Sequence, residues 1–186
     1  MSPIKKTFIT ADSLFTDSFR LAKKIYDSGY RPDVILVLWR GGTPVGIVVH
    51  EFLLLKGIKS YHTAIKAESY TGIGKRMPPV IENLKLITKN IKKNACVLVI
   101  DDIFDTGKTM DCVRKALKYK TRNVKTSALY LRGDTKSRFL PDFYMRETFN
   151  WIVFPHELID LTKQEIKKKG TLISKLVHDS KNESSS

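Results

Sequence analysis

The sequence predicts an α/β fold, a mainly parallel twisted sheet flanked by helices, and three observations carry that prediction. Short continuous apolar runs stand at residues 34–38 and 95–100, the pattern of strands buried on both faces, and residues 124–131 read as a further strand. Helix-patterned segments alternate with these runs, as crossover connections in a parallel sheet require. Glycines stand where one kind of segment gives way to the next.

Taken in order, residues 10–29 place Leu14, Phe15, Phe19, Ala22, Ile25 and Tyr26 at helical spacing. Asp12 or Ser13 is placed to cap the start of this amphipathic helix and Gly29 to end it. After Pro32 comes the first buried strand, residues 34–38, broken by Gly41 and Gly42. Residues 43–56 resume a helical pattern, Gly57 stops it, and residues 61–65 form a second strand. Residues 66–79 are polar, carry Gly72 and Gly74 and have little apolar periodicity. They predict a long exposed loop, a feature that in compact domains often covers an active site. Residues 95–100 are the clearest buried strand, 108–119 a helix and 124–131 another strand. Beyond Trp151 the pattern changes: residues 162–177 read as a Lys-rich helix, and 179–186 as a polar, disordered tail. There is no internal repeat.

A chain of 186 residues, 42% hydrophobic, can bury one ordinary core. Lysine and arginine outnumber acidic residues by 33 to 19, a net charge of +14, which favours phosphates, nucleotides or nucleic acid as partners. No apolar run reaches the length of a membrane span, and residues 1–10 lack the core of a secretory signal. The expectation is a soluble, cytoplasmic protein. Cys96 and Cys112 have no neighbouring Cys or His in the sequence, so neither a zinc cage nor a disulfide framework is expected.

The chemistry concentrates in residues 97–109, Val-Leu-Val-Ile-Asp-Asp-Ile-Phe-Asp-Thr-Gly-Lys-Thr. Asp101 and Asp102 end a buried strand, the edge where open α/β sheets bind ligands. The following turn opens a helix, whose unpaired N–H groups and positive dipole end suit a phosphate. Thr106 and Thr109 add hydroxyls, and Gly107 allows close backbone approach. Gly107-Lys108-Thr109 matches the end of a nucleotide-binding P-loop, but that motif needs a glycine at the position of Asp102. The P-loop is therefore excluded. Carboxylates ahead of a phosphate cradle suit a ligand with hydroxyls, a phosphate and a bound Mg²⁺.

This segment resembles the phosphoribosyl pyrophosphate (PRPP) signature of type I phosphoribosyltransferases. The resemblance extends over about residues 34–157 and implies the fold of that family with a small hood. On this reading residues 1–161 are the transferase domain including the hood, 162–178 a helical extension and 179–186 the tail. Trp39, Arg40, Gly41 and Gly42 look like the family's pyrophosphate loop, in which the peptide before the arginine is commonly cis. Glu68-Ser69-Tyr70 with Lys75 and Arg76 resembles its lid. The resemblance implies that Asp101, Asp102, Asp105, Thr106, Gly107, Lys108 and Thr109 bind the ribose phosphate, with Asp101 and Asp102 on Mg²⁺. Arg40, Lys75 and Arg76 would serve the leaving pyrophosphate, and Asp105 would take the base proton.

Residues 151–157, Trp-Ile-Val-Phe-Pro-His-Glu, resemble the base-binding segment of the microbial and archaeal xanthine-guanine branch. There an aromatic ring stacks on the purine and backbone groups read its edge, which assigns Trp151 and Ile152 to the base. Two departures stand out: His156 replaces a frequent second tryptophan, and Arg132, or Lys136 if the loop is shifted, stands where a lysine contacts the purine 6-oxygen. Asp105 favours hypoxanthine, guanine or xanthine over adenine. The Lys-to-Arg difference at Arg132 keeps adenine open, since a 6-amino group is repelled by the cation a 6-oxygen needs and requires an acceptor. Family members are usually homodimers. Related proteins also act as PRPP-sensing or nucleic-acid-binding regulators, but the lysines here are spread along the chain without a base-reading motif.

Overall fold

The computed structural model describes residues 5–68, 71–72, 75–76, 80–82 and 84–178 of the chain. Its elements run β1 (Lys6–Phe8), α1 (Ala11–Asp27), β2 (Val34–Trp39), α2 (Gly42–Leu55), β3 (Tyr61–Glu68), β4 (Thr71–Gly72), β5 (Lys75–Arg76) and β6 (Val80–Ile81). They continue with α3 (Leu84–Lys89), β7 (Val97–Phe104), α4 (Lys108–Leu117), β8 (Val124–Arg132), β9 (Phe143–Thr148), β10 (Trp151–Val153), α5 (Lys163–Lys167) and α6 (Thr171–His178). Two compact units divide the chain: Phe15–Phe149, and the two ends Met1–Leu14 with Asn150–Ser186.

The larger unit is built on a six-stranded sheet in the order β6-β3-β2-β7-β8-β9. All its pairings are parallel except β3 with the short β6. Its central strands are β2, β7 and β8, with Leu36, Val99 and Ala128 fully buried; β2 and the first half of β7 are continuous apolar runs because strands covered on both faces have no solvent side to carry polar residues. Val34, Leu38, Ile65, Ile91, Val97, Phe104, Val113 and Leu117 fill the core on one side. Asp17 of α1 is buried between two cations: Arg20 Nη1 lies 2.8 Å from it, and Arg146 Nε of β9 2.9 Å. Burial opposes its charge, but the two guanidinium groups prevail and hold the carboxyl below its ordinary value.

In the smaller unit β1 and β10 pair in parallel, with Lys6 opposite Trp151 and Phe8 opposite Val153. Ile152, Val153, Phe154 and Ile166 are buried. Thr162 caps α5 in a reciprocal capping box with Glu165, and the Glu165 carboxylate also meets Lys6 at 2.8 Å. The Lys6 hydrogen bond comes first among the contacts that bring the Glu165 carboxyl down to about 2.

Several expectations need correction. Thr10 caps α1, its Oγ1 accepting from the Ser13 N–H at 3.1 Å, in place of Asp12 or Ser13. The polar stretch expected as a loop carries β3 on to Glu68 and contains an antiparallel β4–β5 ribbon. Thr71, Gly72, Lys75 and Arg76 include no large apolar residue, so the ribbon leaves no apolar alternation in the sequence. The helix expected over residues 162–177 is two short helices that part around Gly170. Among the described residues no helix is long and apolar enough to cross a membrane. Cys96 and Cys112 are free thiols. The expected tail, residues 179–186, lies outside the described residues.

Candidate active site

β7 pairs with β2 only as far as Ile100 but with β8 as far as Phe104. Asp101 and Asp102 therefore stand inside the strand and not at its end as expected, at the point where the β2 pairing stops. The loop from Trp39 to Gly42 fills the vacated place. A side chain on Gly41 would put its Cβ 2.1 Å from Asp102 Oδ2, and one on Gly42 would lie 2.6 Å from the Ile100 carbonyl oxygen. Only glycine lets this loop lie directly on the carboxylates. The Trp39–Arg40 peptide is cis, and both side chains are exposed.

Backbone N–H groups hold the two acids. Asp101 Oδ1 accepts from the Asp102 N–H at 3.0 Å, and Asp102 Oδ1 from the Ile103 N–H at 2.8 Å. Desolvation, reinforced by the adjacent Asp102 charge, pushes the Asp101 carboxyl well above the ordinary carboxylate range. Two hard oxygen donors side by side fit Mg²⁺, which usually binds through one or two carboxylates plus substrate phosphates. Among the described residues no group of three or more His, Cys, Asp or Glu forms a fuller cage.

Past Phe104 the chain turns through Asp105, Thr106 and Gly107 into α4. Gly107 has φ +72°, and a Cβ there would strike both the Phe104 ring and Ser137 Oγ at 2.5 Å. This left-handed residue caps α4, so the first turn, from Lys108 and Thr109, directs its N–H groups into the turn. Asp101, Asp105, Thr106, Gly107 and Thr109 share a cleft of about 160 Å³. The loop after β8 buttresses it: the Thr135 hydroxyl donates to the Asp105 carbonyl at 2.5 Å, and the Phe139 ring stands edge-on to Phe104 at 5.2 Å.

Arg132 closes β8 beside this turn. Its Nε and Nη2 each donate to Asp134 at 3.0 Å in a fork, and Nε lies 3.7 Å from Asp105 Oδ1. The Arg132 hydrogen bond lowers the Asp134 carboxyl below its ordinary value. Asp134 did not stand out in the sequence; the signal available was an acid two residues beyond the arginine that replaces a lysine. Lys136 is exposed on the same loop.

Lys75 and Arg76 form β5, with Lys75 opposite Gly72 and Arg76 opposite Thr71; Ser69 and Tyr70 lie outside the described residues. The ribbon is carried between β3 and β6, whose rim is tied by Lys66 to Glu82 at 3.1 Å. In the smaller unit, Trp151 opens β10 with a half-exposed ring, while Ile152 is buried. His156 lies flat against Phe154, centroids 5.7 Å apart.

A family model for the phosphoribosyl transferase domain matches residues 10–160. Among solved structures the chain is similar to a purine phosphoribosyltransferase from Pyrococcus horikoshii Ot3. The two share 28% identity over 86% of this chain and 98% of that one, with a TM-score of 0.69. It is also similar to a hypothetical protein from Neisseria gonorrhoeae with bound ppGpp, at 20% identity, TM-score 0.69 and coverage of 86% and 93%. A third is the Helicobacter pylori xanthine-guanine-hypoxanthine phosphoribosyltransferase, at 22% identity, TM-score 0.59 and coverage of 80% and 91%. The last two likenesses are of fold alone. Comparison with curated protein sequences gives no match.

Proposed function

Because the chain belongs to the phosphoribosyl transferase domain family, we propose that it is a cytoplasmic nucleotide-salvage enzyme. It transfers the 5-phosphoribosyl group of PRPP to a purine base, with hypoxanthine, guanine or xanthine preferred, and releases pyrophosphate. One observation carries this reading: the Gly41–Gly42 loop lies on Asp101 and Asp102, and Asp101 shares a cleft with the Gly107 cradle. That arrangement supplies acceptors for ribose hydroxyls, N–H donors for the 5-phosphate and backbone room for a pyrophosphate. The likeness to the P. horikoshii purine enzyme supports the base class, and the family resemblance supports a homodimer.

In the mechanism that follows, the cradle from Asp105 to Thr109 anchors the phosphate and the two acids hold the ribose. Asp101 and Asp102 would hold Mg²⁺ together with the substrate, where it would supply positive charge against the pyrophosphate. Arg40, with Trp39, Gly41 and Gly42, receives that leaving group, and Lys75 and Arg76 of the ribbon close over it. As the bond from ribose C1 to the pyrophosphate oxygen breaks, a purine nitrogen bonds to C1 and the proton on N7 passes to Asp105. Positioning and electrostatic stabilisation supply the rate, with no covalent enzyme intermediate. The family resemblance assigns Trp151 and Ile152 to the base and Arg132 to its 6-oxygen. The Asp134 carboxylate on Arg132 favours one second reading, adenine, because it offers an acceptor for a 6-amino group. Relative kcat/KM for hypoxanthine, guanine, xanthine and adenine decides between them: the highest value for an oxopurine is expected, and a preference for adenine overturns the assignment of Arg132.

A further inference from the structure

The family match ends at residue 160, yet the helices beyond it grip the segment proposed to bind the base. Lys169 lies between α5 and α6. Its Nζ donates to the Phe154 carbonyl at 2.5 Å and reaches the Pro155 carbonyl at 3.4 Å. An ammonium carries three donors and no acceptor, and burial away from water penalises it unless acceptors surround it. Two consecutive carbonyls converge here because Pro155, lacking an N–H, leaves its stretch of chain rich in acceptors. From the other side Glu157 Oε2 accepts from the Phe154 N–H at 2.9 Å. Both peptide groups of Phe154 are thus held by side chains.

The rest of the extension is fastened to β1, the strand that pairs with β10. Lys6 meets Glu165 at 2.8 Å, and the Lys168 ammonium lies 5.1 Å from the centroid of the Phe8 ring. Asn150 donates to Thr7 Oγ1 at 3.0 Å, and the Trp151 N–H donates to the Lys5 carbonyl at 2.9 Å. β10 is therefore fixed along one edge by β1 and just past its end by Lys169. Burial lowers the Lys169 pKa, against the pull of Glu157, in keeping with an ammonium taken partly out of water.

We propose that Lys169 is a positioning residue for the purine, and that the α5–α6 extension serves as a brace holding residues 151–157 in their base-binding conformation. This rests on the reading of that segment as the base site. Backbone groups that read a base edge must be held within a fraction of an ångström, and a two-stranded pairing of three residues cannot by itself hold the segment so closely.

The test compares wild type with Lys169→Met, which keeps the aliphatic stem, and Lys169→Arg, which keeps the charge. Amide hydrogen exchange over residues 151–157 reads the brace without any substrate. Exchange about tenfold faster in Lys169→Met is expected, and unchanged exchange overturns the proposal. Steady-state kinetics reads its consequence: KM for the base rises about tenfold, KM for PRPP changes less than twofold, and Lys169→Arg restores most of the loss. Equal rises in both KM values without rescue by arginine also overturn it. A wild-type protein that converts no purine base contradicts the proposed function instead, and the exchange result still judges the brace.

Discussion

The phosphate side and the base side of this molecule are built in different ways. The phosphate side is continuous in sequence: strand β7, the turn at Gly107 and helix α4 follow one another within residues 97–117, with one further loop, Trp39 to Gly42, laid on them. Its geometry comes from backbone, through a left-handed glycine, two glycines pressed on carboxylates, and N–H groups at a helix start. The segment proposed for the base is held by side chains from distant parts of the chain, Lys169 on Phe154 and Lys6 on Glu165. Backbone geometry leaves a dense residue pattern, whereas a brace made of lysines resembles any solvated surface in sequence. The second kind of site can also vary without disturbing the first.

That difference is open to attack by substitution. The largest effect should come from Asp105→Asn: kcat should fall about thousandfold, within the usual range for loss of an acid–base group, while PRPP binding by titration calorimetry stays close to wild type. Full activity would remove Asp105 from catalysis. Gly41→Ala forces a methyl group against Asp102 Oδ2; displacement of that carboxylate should cost about hundredfold in kcat/KM for PRPP, with melting temperature changing little. If base KM suffers instead, the two sides are not separate.

Asp134→Ala releases the fork on Arg132, whose Nε also lies 3.7 Å from the Asp105 carboxylate. Preference for hypoxanthine over a purine lacking the 6-oxygen should drop about fivefold, roughly 1 kcal/mol of discrimination, with Asp134→Glu intermediate. An equal loss for both bases would reduce Asp134 to local structure. The smallest effect is on stability alone. With Asp17 held below its ordinary value of 3.8, its ion pairs contribute fully above that pH, and the contribution is lost as pH falls through the lowered value. Arg146→Met should lower stability by about 1 to 2 kcal/mol at pH 7, and the difference from wild type should shrink in acid denaturation at low pH. Kinetic constants should not change.

How much was legible follows the same division. The central strands, the two glycine-rich turns and the acid pair were readable because burial on both faces writes continuous apolar runs and close backbone approach demands glycine. β1 and β10 have three residues each, too short for a period to show. β9 carries Arg146 and Glu147 on a partly exposed edge. The β4–β5 ribbon has no apolar face. Gly170 lies within the segment expected as one helix, and the lysines at 167–169 carry no apolar period that would place a helix end before it. Thr10 was overlooked as a cap because it precedes two other candidates, Asp12 and Ser13, at almost the same place. Asp134 and Lys169 acquire their roles only through contacts that the fold creates.

The most direct test of the central claim is nucleotide formation by the wild-type protein with PRPP, Mg²⁺ and each of four bases, hypoxanthine, guanine, xanthine and adenine. For the proposed phosphoribosyl transfer, at least one oxopurine is converted to its nucleoside 5′-monophosphate, with one pyrophosphate released per nucleotide and no product without PRPP. No conversion of any purine base would contradict that proposal.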